Sequence, residues 1–249
     1  MKVAQIWRHP IKSHGREALD QVTLTAGQTM PFDRAWAIAH EAARIDQNDP
    51  TWAPCANFSR GSKTPALMAI EARLNETTNE ITLTHPDRPS LTINPDAAAG
   101  ADALIQWVKP LCAPDRAQPD AVYKVPGRGM TDSDFASVSL NSLSSLADLS
   151  EKARHPVSAL RFRGNIWIEG AEPWAELDWV GQDIQIGDAR LKVVERTERC
   201  LATTANPETG LRDLDLLKIL NDTWGHQDFG VRAQVITSGS LKIGDQVSV

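Results

Sequence analysis

The chain has 249 residues, 41% of them hydrophobic and 23% charged, which is ordinary for a globular protein of one large domain or two smaller ones. Its net charge of −6 argues against a nucleic-acid-binding surface, and no apolar run approaches the roughly 20 residues that span a bilayer. Three widely spaced cysteines form no CxxC pair, which excludes a multi-cysteine zinc or iron–sulfur site, and the N-terminus meets a charge at Arg8. We therefore expect a reduced, cytoplasmic protein with no nucleic-acid or membrane partner.

Short strands are predicted for most of the first half, because apolar or alternating residues stand between turn residues. The predicted strands cover residues 3–7, 22–24, 36–39, 67–74, 81–84 and 91–93. A helix should follow, capped near Asp96 and ended by Pro110. The segment 113–134 is rich in proline and glycine, which predicts a linker or crossover between two units.

The second half predicts two helices among further strands. One helix covers 141–153 and is stopped by Pro156; the other covers 214–221, with Asp213 as its N-cap and Gly225 beyond its end. The predicted strands cover 165–169, 184–186, 191–195, 231–236 and 241–249. The tripeptide Ile-Gly-Asp begins at 186 and again at 243, which predicts two hairpin turns. Many short strands and few helices favour a mainly β (α+β) fold built from closed or nearly closed barrels.

Cys200 has the neighbours that a reactive or metal-binding thiol needs. It follows a predicted strand, lies beside Arg199 and near Arg196, and precedes the hydroxyl pair Thr203 and Thr204. Guanidinium charge near a thiol favours the thiolate, the form that binds metals or attacks electrophiles. A single cysteine is nevertheless more often a buried apolar residue. The local pattern therefore leaves metal ligand, nucleophile and core residue open.

A second group of residues offers positive charge to an anion. Arg161 and Arg163 flank Phe162, so on a strand the two arginines would share one face and form a phosphate seat. A solvated strand edge explains this segment equally well. Two further motifs, Lys12-Ser13 after the first strand and Asp33-Arg34, would supply a hydroxyl and two more cations.

The remaining motifs exclude several familiar sites. Cys55 and Cys112 lack a comparable basic neighbourhood, and we expect both to fill the core. The six histidines show no HxxxH or HExxH spacing, which disfavours a zinc hydrolase. There is no Gly-rich nucleotide-binding loop and no GxSxG nucleophile elbow.

Taken in chain order, these segments resemble the MOSC superfamily, named for the C-terminal domain of molybdenum cofactor sulfurases, and within it the amidoxime-reducing component type. The segments that carry the resemblance are Pro10-Ile11-Lys12-Ser13, Asp33-Arg34, Phe162-Arg163-Gly164-Asn165, Pro173-Trp174, Ile186-Gly187-Asp188, Arg199-Cys200, Pro207 with Thr209-Gly210, Phe229-Gly230, Gly239 and Gly244-Asp245. The resemblance implies an N-terminal MOSC β-barrel domain over 1–115 and a MOSC domain over 130–249, joined through 113–134.

By this resemblance, Cys200 is the protein ligand of molybdenum in a molybdenum cofactor (Mo-molybdopterin). The residues implied to bind the cofactor are Lys12, Ser13, Arg34, Ser133, Asp134, Arg163, Asn165, Thr197, Glu198 and Arg199. Thiolate suits molybdenum better than carboxylate or imidazole, and a phosphate on an acidic chain needs such local cations. Pyridoxal phosphate binding is also attributed to the family.

The implied activity is the reduction of small-molecule N-hydroxylated or N-oxide substrates by oxygen-atom removal. Electrons are expected from a separate donor protein of the ferredoxin, flavodoxin or cytochrome type, because the chain ends without the four-cysteine ferredoxin domain of some relatives. Glu198, His226 and Asp228 are proton-donor candidates only by their proximity to Cys200 in the chain. Two alternatives stay open: sulfur transfer through a persulfide on Cys200, and a cofactor carrier.

Two departures from the mitochondrial proteins predict a differently shaped pocket. Gly164 stands where they have proline, and Asn206 stands where they have aspartate. The segment 47–52 also differs from the family's usual Gln-Arg-containing stretch. The resemblance therefore carries less weight for the substrate than for the cofactor.

Overall fold

The computed structural model describes all 249 residues and contains fifteen strands and three α-helices. The strands are β1 (Lys2–Arg8), β2 (Glu17–Leu19), β3 (Gln21–Leu24), β4 (Ala37–His40), β5 (Glu71–Asn75), β6 (Glu80–His85), β7 (Arg88–Ile93), β8 (Pro119–Tyr123), β9 (Val138–Ser142), β10 (Ile166–Glu169), β11 (Asp183–Ile186), β12 (Ala189–Glu198), β13 (Asp228–Thr237), β14 (Gly239–Lys242) and β15 (Val247–Ser248). The helices are α1 (Ala98–Val108), α2 (Leu143–Ala153) and α3 (Leu216–Trp224), and none has the length and apolar character to span a membrane. The mainly β fold class is confirmed.

One eight-stranded sheet forms the centre of the molecule, in the order β15-β11-β12-β13-β9-β10-β1-β2. All its pairs are antiparallel except β9 and β10, which run parallel. Alternate residues of its strands, such as Ile184, Leu191 and Val231, are fully buried in the largest apolar cluster. The period-2 pattern of the sequence therefore places one face of this sheet in the core.

A smaller unit is built from the rest of the first half. The meander β5-β6-β7 and the pair β4-β8 pack with α1 around a second apolar cluster, which contains Trp36, Leu67 and Trp107. The first three strands lie elsewhere, because β1 and β2 belong to the large sheet and β3 pairs with β14. The two halves of the sequence are thus interlocked, and the loop after β1 lies where they meet.

Several predicted boundaries differ from the structure in the first half. The predicted strand 67–74 is a 3-10 turn, Pro65–Ala69, followed by β5. Asp96 does not cap α1; its carboxylate instead accepts hydrogen bonds from Trp36 Nε1 (2.7 Å) and Lys124 Nζ (2.8 Å). The segment 113–134 contains β8, so part of the expected linker pairs with β4.

The second half shows two further differences. Helix α3 begins two residues later than predicted, because Asp215 is the N-cap and accepts from Lys218 N at 3.1 Å, while Asp213 pairs with Arg161. The first Ile-Gly-Asp turn joins the paired strands β11 and β12, with Gly187 at φ +55°. The second joins β14 and β15, which pair with β3 and β11 rather than with each other, so it is not a hairpin.

Candidate functional site

A cavity of about 170 Å³ lies at the junction of the two halves of the chain and contains Cys200 in its wall. Its lining carries much more positive than negative charge. The carboxylates are Asp132 and Glu198, whereas the cations are Lys12, Arg34, Arg60, Arg161, Arg163, Arg199 and Arg232. Such an excess in an acidic protein marks this cavity as a place for an anion.

The loop after β1 is held in shape by the buried carboxylate of Asp33. His9 N donates to Asp33 Oδ1 at 2.8 Å, and Arg34 pairs with the same carboxylate. Burial alone would raise the pKa of Asp33, but Arg34 and the bonded His9 outweigh it and hold this pKa below its usual range. Arg34, in the left-handed conformation at φ +54°, also donates from Nη2 to the Arg163 carbonyl at 3.0 Å. Asp33 therefore fixes the loop, and Arg34 ties it to the second half.

Lys12 and Ser13 line the cavity from the same loop. The Lys12 ammonium is buried and donates to Met130 O at 2.8 Å and to Asp132 Oδ1 at 2.5 Å. Burial alone would raise the pKa of Asp132, but nearby Lys12 lowers it below its usual range. Lys12 thus carries its own counterion at the cavity wall.

Ser133 and Asp134 are not brought to the cavity wall. Ser133 is buried and donates to Ser137 Oγ at 2.6 Å, and Asp134 is exposed, with its carbonyl accepting from Arg128. Thr131 and Asp132 line the cavity instead. In this irregular segment a displacement of two residues changes which side chains reach the cavity.

Arg161 and Arg163 do not lie on one strand face, so that prediction is wrong. Residues Ala159–Phe162 form a 3-10 turn, and Arg163 follows it at φ +49°. Arg161 pairs with Asp213 at 2.8 Å, whereas Arg163 donates only to the Ile11 carbonyl, at 3.3 Å. Burial, followed by the charge of Arg34, lowers the pKa of Arg163 to about 9. Both arginines still line the cavity, but only Arg161 has a carboxylate partner.

Two asparagines and a glycine organise the strands behind the cavity. Asn165 Oδ1 accepts from Ser139 N at 3.1 Å, and Asn165 Nδ2 donates to the Trp7 carbonyl at 3.2 Å. A Cβ on Gly164 would lie 1.9 Å from Asn141 Nδ2, so the close approach of Asn141 requires glycine there. Glycine at position 164 thus leaves room for the side chain of Asn141. No role for Asn141 was predicted from the sequence.

The Arg199 side chain is hydrogen-bonded to neighbouring segments of the protein and fixes the chain next to Cys200. Its guanidinium donates to the carbonyls of Phe229 (Nε, 2.8 Å) and Phe162 (Nη1, 2.9 Å) and to Asn141 Oδ1 (Nη2, 2.8 Å). Burial, followed by the charge of Arg232, lowers the pKa of Arg199 to about 9. Cys200 begins the 3-10 turn Leu201–Thr204 and is exposed.

The lining fits an anionic group joined to a soft metal. Arg163 and Arg199 have no carboxylate partner, and the buried hydroxyl of Thr197 lines the cavity without any hydrogen-bond partner. Cys200 offers one sulfur ligand, and nowhere are three or more His, Cys, Asp or Glu side chains grouped to hold an ion by themselves. The other metal ligands would have to belong to a cofactor, whose phosphate the unpaired cations would neutralise.

Some residues of the lining were missed or misjudged. Cys55, expected in the core, is only half-buried, lines the cavity and accepts a contact from Arg60 Nη1 at 3.2 Å. Arg60 and Arg232 also line it, although no local motif marks them. Of the three proton-donor candidates, Glu198 lines the cavity, whereas His226 and Asp228 do not.

Family models account for nearly the whole chain. A model of the MOSC domain matches residues 127–248, and a model of the MOSC N-terminal beta barrel domain matches residues 1–124. Among solved structures, the YUAD protein from Bacillus subtilis has a TM-score of 0.46 and 10% identity, covering 99% of this chain and 93% of that chain.

Curated proteins similar to this chain are amidoxime-reducing components. Mitochondrial amidoxime-reducing component 1 of Mus musculus is 27% identical over 248 residues, covering 85% of this chain and 67% of that protein. The Homo sapiens component 1 is 34% identical over 127 residues, and the Rattus norvegicus component 2 is 32% identical over 126 residues. Each of these two matches covers 46% of this chain and 37% of the relative.

Proposed function

Because the chain belongs to the family that joins a MOSC N-terminal β-barrel domain to a MOSC domain, we propose that it is a molybdenum-cofactor-dependent reductase of N-hydroxylated or N-oxide substrates. The observation that carries the proposal is the meeting, in one cavity, of the Cys200 thiol with two partly buried arginines, Arg163 and Arg199, that lack carboxylate partners. The names of the relatives supply the substrate class, since they are amidoxime-reducing components.

The cofactor would be held by residues that line the cavity from both halves of the chain. Cys200 would bind the metal through its thiolate, and Lys12, Ser13, Arg34 and Arg163 would hold the phosphate. When bound, the cofactor supplies the two-electron chemistry that removes the substrate oxygen. Each charge-assisted hydrogen bond contributes about 1.5–3 kcal/mol, so four of them retain a cofactor without covalent attachment.

The chain's own residues position the reacting groups and supply protons. Arg199, fixed by three acceptors, orients the Cys200 turn and keeps the thiol at the cavity wall. Glu198 borders the cavity one residue before Arg199, so proton transfer to the departing oxygen is assigned to its carboxyl group. Two electrons and two protons convert an N–OH group to N–H and water. The electrons are proposed to come from a separate donor protein of the ferredoxin, flavodoxin or cytochrome type.

The test is reduction of an aryl amidoxime to the amidine by cofactor-loaded protein with a chemical reductant. We expect many turnovers per chain, and loss of more than about 99% of the rate in Cys200→Ser because the metal loses its protein ligand. Cys112→Ser is the matched control, since this thiol is half-buried outside the cavity and should retain the rate. Loaded protein that holds molybdenum and never turns over would identify a cofactor carrier. A persulfide on Cys200 in cofactor-free protein would favour sulfur transfer.

A further inference from the structure

A second cavity, here called the basic cavity, adjoins the Cys200 cavity in the N-terminal half. It measures about 200 Å³, and its polar wall consists of His40, Ser59, Arg60, Lys63, Thr64 and Arg116. No carboxylate borders it. Since its titratable groups are all basic, the basic cavity is suited to an anion.

Two buried polar atoms of residues that line the basic cavity lack partners within the protein. Ser59 is 7% exposed, and its hydroxyl, which is buried, has no hydrogen-bond partner. His40 Nε2 lies 2.7 Å from the Ala56 carbonyl, which leaves the buried Nδ1 without a partner as well. Buried polar groups are nearly always bonded, so the orphaned Ser59 hydroxyl indicates a missing partner. His40 Nε2 donates to the Ala56 carbonyl, which makes Nδ1 an acceptor, so of these two atoms only the Ser59 hydroxyl can donate to an anion.

The cations of the basic cavity are also unpaired. Lys63 and Arg116, at the exposed rim of the cavity, form no ion pair, and the partly buried side chain of Arg60 contacts only the Cys55 sulfur. Lys12 and Arg161, in the neighbouring cavity, each have a carboxylate within 2.8 Å. Repulsion among like charges at one cavity is relieved when an anion enters it.

Arg60 links the two cavities, because it borders both of them. We propose that the basic cavity binds the carboxylate or phosphate group of a substrate whose N–O group occupies the Cys200 cavity. The identification of the ligand as substrate rests on the proposed function, whereas the anion site rests on Ser59, Lys63 and Arg116. Arg60 would then be the side chain that separates the anionic end of the substrate from its reacting end.

The test measures binding rather than turnover. An aryl amidoxime and the same compound carrying a para-carboxylate are titrated into cofactor-loaded protein by calorimetry at low salt. We expect the carboxylate to tighten binding about tenfold in the wild type, and expect that preference to disappear in the double variant Lys63→Ala/Arg116→Ala. Arg190→Ala/Lys192→Ala removes the same charge from positions on β12 that line neither cavity and should keep the preference. Raising ionic strength to about 1 M should reduce it, because the Debye length then falls to about 3 Å.

Four results distinguish the source of the anion and test the anion site. Competition by inorganic phosphate against the carboxylated amidoxime, but not against the neutral one, supports the substrate assignment. Phosphate binding that leaves the affinity of the carboxylated compound unchanged overturns it. Equal affinities for the two amidoximes, or a preference that survives in Lys63→Ala/Arg116→Ala, overturns the anion site.

The same two compounds test the anion site and the proposed reductase activity separately. Preferential binding of the carboxylated amidoxime without its reduction contradicts the reductase and leaves the anion site standing. Reduction of both compounds with equal affinity contradicts the anion site and leaves the reductase standing.

Discussion

Two guanidinium groups, a buried one at the end of β1 and a partly buried one in the Cys200 cavity, have opposite surroundings. Arg8 pairs with Glu17 at 2.8 Å and with Glu76 at 2.5 Å. Arg163 has only the Ile11 carbonyl, at 3.3 Å. A buried cation without a counterion opposes folding, because its loss of hydration is not compensated. Arg8 therefore stabilises the fold, whereas Arg163 is placed for a ligand that supplies the missing charge.

The largest expected effect is the loss of cofactor from an Arg163 variant whose free energy of unfolding is not reduced. Arg163→Gln should reduce retained molybdenum and pterin per chain at least about tenfold, since one charge-assisted bond to the phosphate is lost. The free energy of unfolding of the cofactor-free protein should stay equal or rise, because an unpaired, partly buried charge is removed. Metal and pterin content after gel filtration, together with urea unfolding, measure the two quantities.

Arg8→Gln is the matched control, with the opposite expectation. It breaks a buried ion pair and should lower the free energy of unfolding by about 3 kcal/mol, while the folded fraction retains its cofactor. If Arg163→Gln kept full cofactor, or if both variants lost cofactor and stability together, the distinction between the two arginines would be wrong.

A smaller effect concerns two buried histidines near Arg163. Burial, followed by the charge of Arg163, lowers the pKa of His9 to about 3. Burial lowers the pKa of His14 to about 4. Below pH 6.5 the unfolded chain takes up protons that the folded chain does not, so stability falls as pH falls toward 4. Each histidine contributes a slope of up to about 1.4 kcal/mol per pH unit.

Urea unfolding between pH 6 and pH 5 measures this slope. The wild-type free energy of unfolding should fall by about 2 kcal/mol per pH unit. His14→Gln should show about half of that slope, because one of the two proton-uptake sites is gone. A free energy that does not change over this interval would mean that neither histidine is neutral because of burial.

Strands and helices that depend on a local sequence pattern were predicted well. The alternation in β6 and β11 and the helical spacing in α2 produced elements close to their predicted bounds. Predicted helix starts were wrong where the expected N-cap residue binds a distant side chain instead. Asp96 accepts a hydrogen bond from Trp36, and Asp213 forms an ion pair with Arg161. Local propensity cannot distinguish a cap from a long-range partner, because both require the same side chain.

For the candidate site too, residues in local motifs were identified from the sequence, whereas residues brought in by the fold were missed. Motifs near the ends of strands, such as Lys12-Ser13 and Arg163, line the cavity. Arg60 and Asn141 were missed because they come close to the site only when distant segments of the chain fold together. No motif or spacing in the sequence indicates this proximity. Positions in an irregular segment, such as Asp132, depend on a register that only the folded chain determines.

The molybdenum content of the purified protein tests the central claim most directly. Wild-type protein and Cys200→Ser are produced in a host that makes the cofactor, and metal per chain is measured by mass spectrometry. The proposed site predicts molybdenum approaching one per chain in the wild type and close to zero in Cys200→Ser, because Cys200 is the proposed protein ligand of the metal. Equal molybdenum in the two proteins, or none in either, would contradict it.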